Sequence, residues 1–370
     1  MRRGRHVQRR RYWPYLLFAL GVFLILLLGF ITSVIHEERR TSITSAGHPL
    51  DIQDKATRQT AQRLQNINFS GTILVIHQGQ TQLSLSRGFA DKPSRRANAP
   101  HTTFEIDSVQ KAFTAALVMQ EVNAGKLKLS SKLSQFYPAV SGSRHISIRQ
   151  MLDMTSGLSC APFAMPTYRS DEQVVHEYIR HLRYRPAKAN VWEYQPVNYN
   201  LLAGILTKIT KQSYEQLLTR RLLQPLHLNE THFAYKSGPE SATGYGWKNN
   251  APNYASPYNT SNTAKHYELG TGQLFMSASD LYRAEAAIVS GKLLGKRASD
   301  RLHQGGSSST YAGGLYHNQR YYFANGYGYG FSDFVRISPN GQNAVIVLCN
   351  TQPGDYRFKQ LADDLAAEYV

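Results

Sequence analysis

Cysteine is nearly absent from this sequence: Cys160 and Cys349 are the only two among 370 residues, and 188 residues separate them. That excludes a disulfide-stapled scaffold and any zinc site built from paired cysteine motifs. Whether the two pair or stay as buried thiols is open. Cys349 closes the apolar run 344–348, which reads as a buried strand, so a catalytic role suits neither. Acidic residues are scarce too, 25 Asp and Glu against 42 Lys and Arg, for a net charge of +17. Such a balance disfavours basic partners and suits polyanions, either nucleic acid or an anionic cell envelope. The body of the chain has no RNP-like aromatic motif and no Arg-rich recognition helix, which argues against nucleic acid. His101, His145, His176 and His181 lack metal-ligand spacing and read as exposed loop residues, so no metal is expected.

Long apolar runs are missing with one exception. Residues 15–35 (YLLFALGVFLILLLGFITSVI) are uncharged and close to the ~20 residues that span a bilayer. Six Arg precede them, and Tyr12 and Trp13 stand at the edge as interfacial anchors. The stretch is long for a cleaved signal peptide and no A-x-A-like site follows it. The expectation is a basic cytoplasmic tail at 1–14, a single-pass signal-anchor at 15–35 and a polar stalk at 36–62. A catalytic domain at 63–370 would then lie outside the cell membrane. Residues 1–40, with eight Arg and two Glu, account for six of the seventeen charges and leave eleven on the rest.

Hydrophobic residues make up 42% and charged residues 18%, a mix that supports a sizeable core. Residues 70–77 are a β-branched run, Gln78-Gly79-Gln80 is a hairpin-type turn, and 81–86 alternate. From Val109 the period becomes helical and the helix stops near Gly125. A mixed, mainly helical stretch covers about 127–294, with an amphipathic helix starting at Asn200. Strands return at 321–329, 332–337 and 344–349, and a helix carrying Leu361, Leu365 and Ala366 closes the chain. Strands at both ends with helices between predict one α+β domain, an antiparallel sheet flanked by helices with an inserted helical subdomain.

Ser108-Val-Gln-Lys111 stands where strand pattern gives way to helix, and the i, i+3 spacing puts both side chains on one face. A serine hydroxyl attacks only when a base takes its proton. A lysine can serve where desolvation and a helix N-terminus favour the neutral amine, and that N-terminus also offers an N–H to an oxyanion. Against this, Ser-x-x-Lys is a common chance motif, and Asp107-Ser108 would make an ordinary helix cap.

The surroundings of the motif decide between these readings. The segment Thr103-FEIDSVQKAFTA resembles the nucleophile segment of the class C β-lactamases and low-molecular-weight penicillin-binding proteins. Leu127-KLSSKLSQFYP and His145-ISIRQMLDMTSGL are similar to that family's next two segments. Tyr194-QPVNYNLLAGIL resembles its Tyr-x-Asn segment and Leu269-GTGQLFMSASDLYR its later turn and helix. Asn325-GYGYGFSDFVRISPNGQNAVIVLCN is similar to its closing strands. The matches keep family order over about three hundred residues. The resemblance implies a β-lactamase/transpeptidase-like fold and no cofactor. It implies Ser108 as nucleophile, Lys111 as general base and Tyr194 as proton relay to the leaving group. The backbone N–H groups of Ser108 and Tyr327 would form the oxyanion hole, beside Asn325 and Gly326.

Two positions depart from the pattern. Pro196 stands where the family has the Asn of Tyr-x-Asn, so a side-chain amide is lost; Asn198 or Asn200 could replace it. Ala324-Asn325-Gly326 stands where the family has Lys or His, then x-Gly, so a cation is lost. That cation pairs with the free carboxylate of D-Ala-D-Ala peptides or penicillins, and losing such a charge-assisted bond costs those substrates several kcal/mol. A D-alanyl ester of (lipo)teichoic acid has no such carboxylate and sits on a polyphosphate that a basic domain attracts. Removal of D-Ala from this anionic polymer is therefore the leading expectation. One alternative is a D,D-carboxypeptidase on peptidoglycan whose cation comes from Arg320, Arg336 or Lys265. The other is an inactive, wall-binding family member. The Tyr-rich stretch 321–329 reads equally as groove lining and as strand packing.

Overall fold

A computed structural model describes residues 55–236, 238–304 and 310–370. The expected basic tail, membrane anchor and most of the stalk lie outside these residues. No helix among the described residues is long and apolar enough to cross a membrane.

Two strands near the start, β1 (Gly71–His77) and β2 (Gln80–Arg87), meet five from the end. These are β3 (Tyr311–Ala312), β4 (Leu315–His317), β5 (Tyr322–Gly328), β6 (Phe331–Ile337) and β7 (Ala344–Cys349). The sheet runs β3-β4-β5-β6-β7-β1-β2, every pair antiparallel. β1 lies on β7 with Gly71 opposite Cys349 and Ile76 opposite Ala344. The β1–β2 turn is two residues long, with Gln78 at φ +52° and Gly79 at φ +76°. Two left-handed residues make the primed turn whose twist matches its strands.

β7 is buried along its whole length, which explains its continuous apolar run. Ala344, Ile346 and Leu348 enter one core, and Val345, Val347 and Cys349 enter the other. The second core is closed by Leu64 of helix α1 (Lys55–Asn66) and by Phe358, Leu361 and Leu365 of the last helix. The folded unit therefore reaches back past the expected boundary at residue 63. The larger core surrounds α2 (Lys111–Asn123), whose residues Ala112 to Met119 are all buried, as befits a helix apolar on every side. Around it lie α3 (Asp171–His181), α4 (Val197–Thr210) and α5 (Ala278–Val289). The last helix is α6 (Arg357–Tyr369).

The expected α+β architecture is present, but the middle is less purely helical than its periodicity suggests. Phe104–Glu105, Leu274–Met276 and Thr231–Phe233 form a three-stranded sheet, Leu158–Cys160 pairs with Leu182–Tyr184, and Tyr245–Lys248 pairs with Ala251–Pro257. These strands mostly run two to four residues, too short to show an alternation. His176 and His181 belong to α3 rather than to loops. Cys160 and Cys349 are both free.

Candidate active site

A one-turn 3-10 helix, Asp107–Gln110, carries Ser108, and α2 begins at Lys111 rather than at Val109. The turn is entered through Asp107 at φ +45°, a left-handed conformation that side chains with a Cβ adopt at a cost. One turn of chain brings Lys111 Nζ to 2.7 Å from Ser108 Oγ. Lys111 is 1% exposed, and its Nζ lies 5.2 Å from the centroid of the Tyr194 ring that covers it. The Tyr194 hydroxyl donates to Ser108 Oγ from the other side, also at 2.7 Å. The three side chains, 86 residues apart at the extremes, form one cluster.

Tyr194 is held by a loop tied down at its base. Glu193 N donates to the Met154 carbonyl, and the Asn198 amide donates to the Gln195 carbonyl while accepting from the Ser156 hydroxyl at 2.6 Å. Asn198 is 1% exposed with both ends of its amide in use, so it positions the tyrosine loop and does not offer an amide to substrate. Asn200 is buried as well and donates to the Leu269 carbonyl. Neither replaces the amide lost at Pro196, which instead opens α4 at φ −53°.

β5 forms the opposite wall. A Cβ on Gly326 would lie 2.4 Å from the Ile106 carbonyl oxygen, and one on Gly328 would lie 2.3 Å from Asp107 Oδ1. Only glycine lets this strand press against the turn that carries Ser108. Between the two glycines, Tyr327 sends its ring the other way, against Phe334 at 5.6 Å. Asn325 points away as well: its Oδ1 accepts from Arg336 at 3.0 Å. Ala324 faces the core side with no cation.

The distant cations do not fill that place. Arg336 is buried, donates to the Asp363 carboxylate at 2.7 Å and belongs to the α6 side of the sheet. Arg320 reaches the Ala367 carbonyl, and Lys265 donates to the Ala234 carbonyl at 2.9 Å. None of the three bonds to Ser108, Lys111 or Tyr194.

Residues that sequence reasoning passed over complete the site. Gln110, fully buried, accepts from Gln273 N and donates to Tyr214, which shares a 2.6 Å bond with Thr114. This network fixes the Gly270–Gln273 turn beside the Ser108 turn. Asp107 is buried against Gly328, and Glu105 and Asp333 are buried nearby. Burial pushes the Asp107 carboxyl well up, helped by the charges of Glu105, Asp333 and Glu268 and opposed by Lys111. Burial likewise raises Glu105 to about 8, with Lys265 opposing. Raised carboxyls favour the neutral form, and neutral acids under this site avoid repelling an anion that develops there.

A family model described as Beta-lactamase matches residues 57–368, which hold the large sheet and all three clustered side chains. The chain is 29% identical over 291 residues to PbpX of Bacillus subtilis (strain 168), described as "Putative penicillin-binding protein PbpX", covering 78% of this chain and 72% of that one. It is 27% identical over 302 residues to the protein Flp of Staphylococcus aureus (strain COL), covering 75% of this chain but only 59% of that longer relative. Among solved structures it is similar to FmtA from Staphylococcus aureus, with a TM-score of 0.76 and 22% identity over 90% of this chain and 95% of that one. At that identity the likeness is one of fold.

Proposed function

The chain belongs to the beta-lactamase family of serine hydrolases, and on that premise we propose that it removes D-alanyl esters from (lipo)teichoic acid through a Ser108 acyl-enzyme. Lys111 takes the Ser108 proton as Oγ attacks the ester carbonyl. The N–H groups of Ser108 and Tyr327 stabilise the oxyanion. As the intermediate collapses, Tyr194 gives a proton to the departing polyol oxygen, and water then releases D-Ala by the reverse relay.

The observation that carries the chemistry is the placement of Lys111 Nζ and Tyr194 OH, each 2.7 Å from one serine oxygen. The substrate choice rests on the face of β5 where Ala324 replaces a cation and on Arg336 being committed to Asp363 across the sheet. An acyl donor with a carboxylate beside the scissile bond finds no partner there. One without it loses nothing. Similarity to PbpX favours a second reading, D,D-carboxypeptidase action on peptidoglycan stem peptides.

Free D-Ala released by the purified full chain from D-alanylated teichoic acid and from a D-Ala-D-Ala muropeptide separates the two. Release from the polymer alone, lost at least a thousandfold in Ser108→Ala, is the expected result. Release from the peptide alone would establish the second reading, and release from neither would leave wall binding without turnover.

A further inference from the structure

Beside the nucleophile lies a cleft of about 380 Å³ that none of Ser108, Lys111 and Tyr194 lines. Its floor is one face of the three-stranded sheet. Glu105, Phe275 and His232 stand directly opposite one another in register, so their side chains form a row across it. Phe275 and His232 stack with centroids 5.4 Å apart, and Phe104, Leu274 and Met276, like Phe275 itself, belong to the larger core. Tyr258, Asn259, Asn262 and Tyr329 line the walls. Lys265 spends one ammonium bond on the Ala234 carbonyl, and Glu105, 2% exposed, keeps one carboxyl oxygen without a hydrogen-bond partner.

We infer that this cleft binds a hydroxyl-rich unit, a polyol or sugar residue, of the polymer whose ester Ser108 cleaves. The inference rests on the esterase reading above for the identity of the polymer. Flat rings beside side chains that both donate and accept suit a ligand that has C–H faces and many hydroxyls. A purely apolar ligand would strand the amides and the carboxyl. Glu105 stays neutral below about 8 and so can donate as well as accept. Connectivity joins the cleft to the reaction. Glu105 is three residues before Ser108, which bounds their Cα separation at about 11 Å, and Tyr329 is two residues beyond Tyr327. A polymer acylated on one unit reaches the cleft with a neighbouring unit; a small ester does not.

The test compares two substrates on the full chain: D-alanylated poly(glycerol phosphate), and a small activated ester that reads the nucleophile alone. In Tyr258→Ala, and in Asn259→Ala at an exposed loop position where folding is least at risk, the ratio of kcat/KM for polymer over ester falls about tenfold, through KM. An unchanged ratio in both variants overturns the inference. Ser108→Ala protein is then titrated with unacylated poly(glycerol phosphate) and with a neutral maltooligosaccharide. Binding of either that weakens in Tyr258→Ala supports the cleft and tells polyol from sugar, and binding of neither overturns it. Because this second arm needs no turnover, it stands apart from any failure of the esterase reading.

Discussion

Ser108 owes its position to the residue before it. Asp107 takes a left-handed conformation; its backbone lies against Gly272, whose Cβ would be 3.2 Å from Asp107 Cα, and its carboxyl lies against Gly328. The Ser108 turn and β5 therefore touch at the Asp107 carboxyl and at the Ile106 carbonyl. Gly328→Ala places a methyl 2.3 Å from Asp107 Oδ1 and must push strand and turn apart. Removing an oxyanion donor costs roughly 100- to 1000-fold, so a partial displacement predicts a loss of about 10- to 100-fold in ester kcat/KM, with kcat affected more than KM. Asp107→Gly removes the obstructing side chain and suits the positive φ, so adding it to Gly328→Ala restores the rate of Asp107→Gly alone. If the double variant is no faster than Gly328→Ala, the contact does not set the strand. Ser108 and Lys111 could be found in the sequence because their spacing is local. Asp107 and Gln110 could not, since their importance lies in what a strand two hundred residues away and the turn at Gly270 place against them.

Among the elements, α5 carries an anomaly that its periodicity hides. Glu285 is fully buried in a helix packed on β7, β1 and α2, and neither carboxyl oxygen has a hydrogen-bond partner. Burial raises its pKa from 4.5 to about 8. Between those values the folded chain holds a proton that the unfolded chain has released. This contribution to stability is thus fully present below about 4.5, declines as pH rises and is gone above about 8, a change on the order of a few kcal/mol. Glu285→Gln should flatten that decline: the difference in unfolding free energy between pH 5 and pH 8.5, by urea denaturation, shrinks relative to the unaltered chain. An equal pH slope in both would show that the carboxyl finds a partner in solution. The strands show the complementary lesson. Alternation along β5 sends Tyr322, Ala324, Gly326 and Gly328 to one face and Asn325 and Tyr327 to the other, so Asn325 meets Arg336 and not the substrate. The period of two was readable, but which face met the nucleophile was not.

For the whole molecule, the sheet joins the two ends of the described chain, β1 pairing with β7 on one side and with β2 on the other. If residues 15–35 anchor the chain as their composition suggests, the full chain pellets with membranes and stays there through a high-salt wash. A protein beginning at Thr41 would then remain in the supernatant and keep its ester activity. Recovery of the full chain in the soluble fraction would remove the anchor and with it the topology.

Local pattern by itself determined the strands at both ends, the central helix, the Ser108–Lys111 pair and the family's segments in their order. Each of these rests on residues within a few positions of one another. Folding alone decided that Tyr194 reaches Ser108, that Asn198 braces a loop, that Arg336 crosses to Asp363 and that a cleft opens beside Glu105. The physical reason is range: hydrophobic period and turn chemistry act along the chain, whereas burial, hydrogen-bond partners and shifted carboxyls depend on which distant segments fold against them.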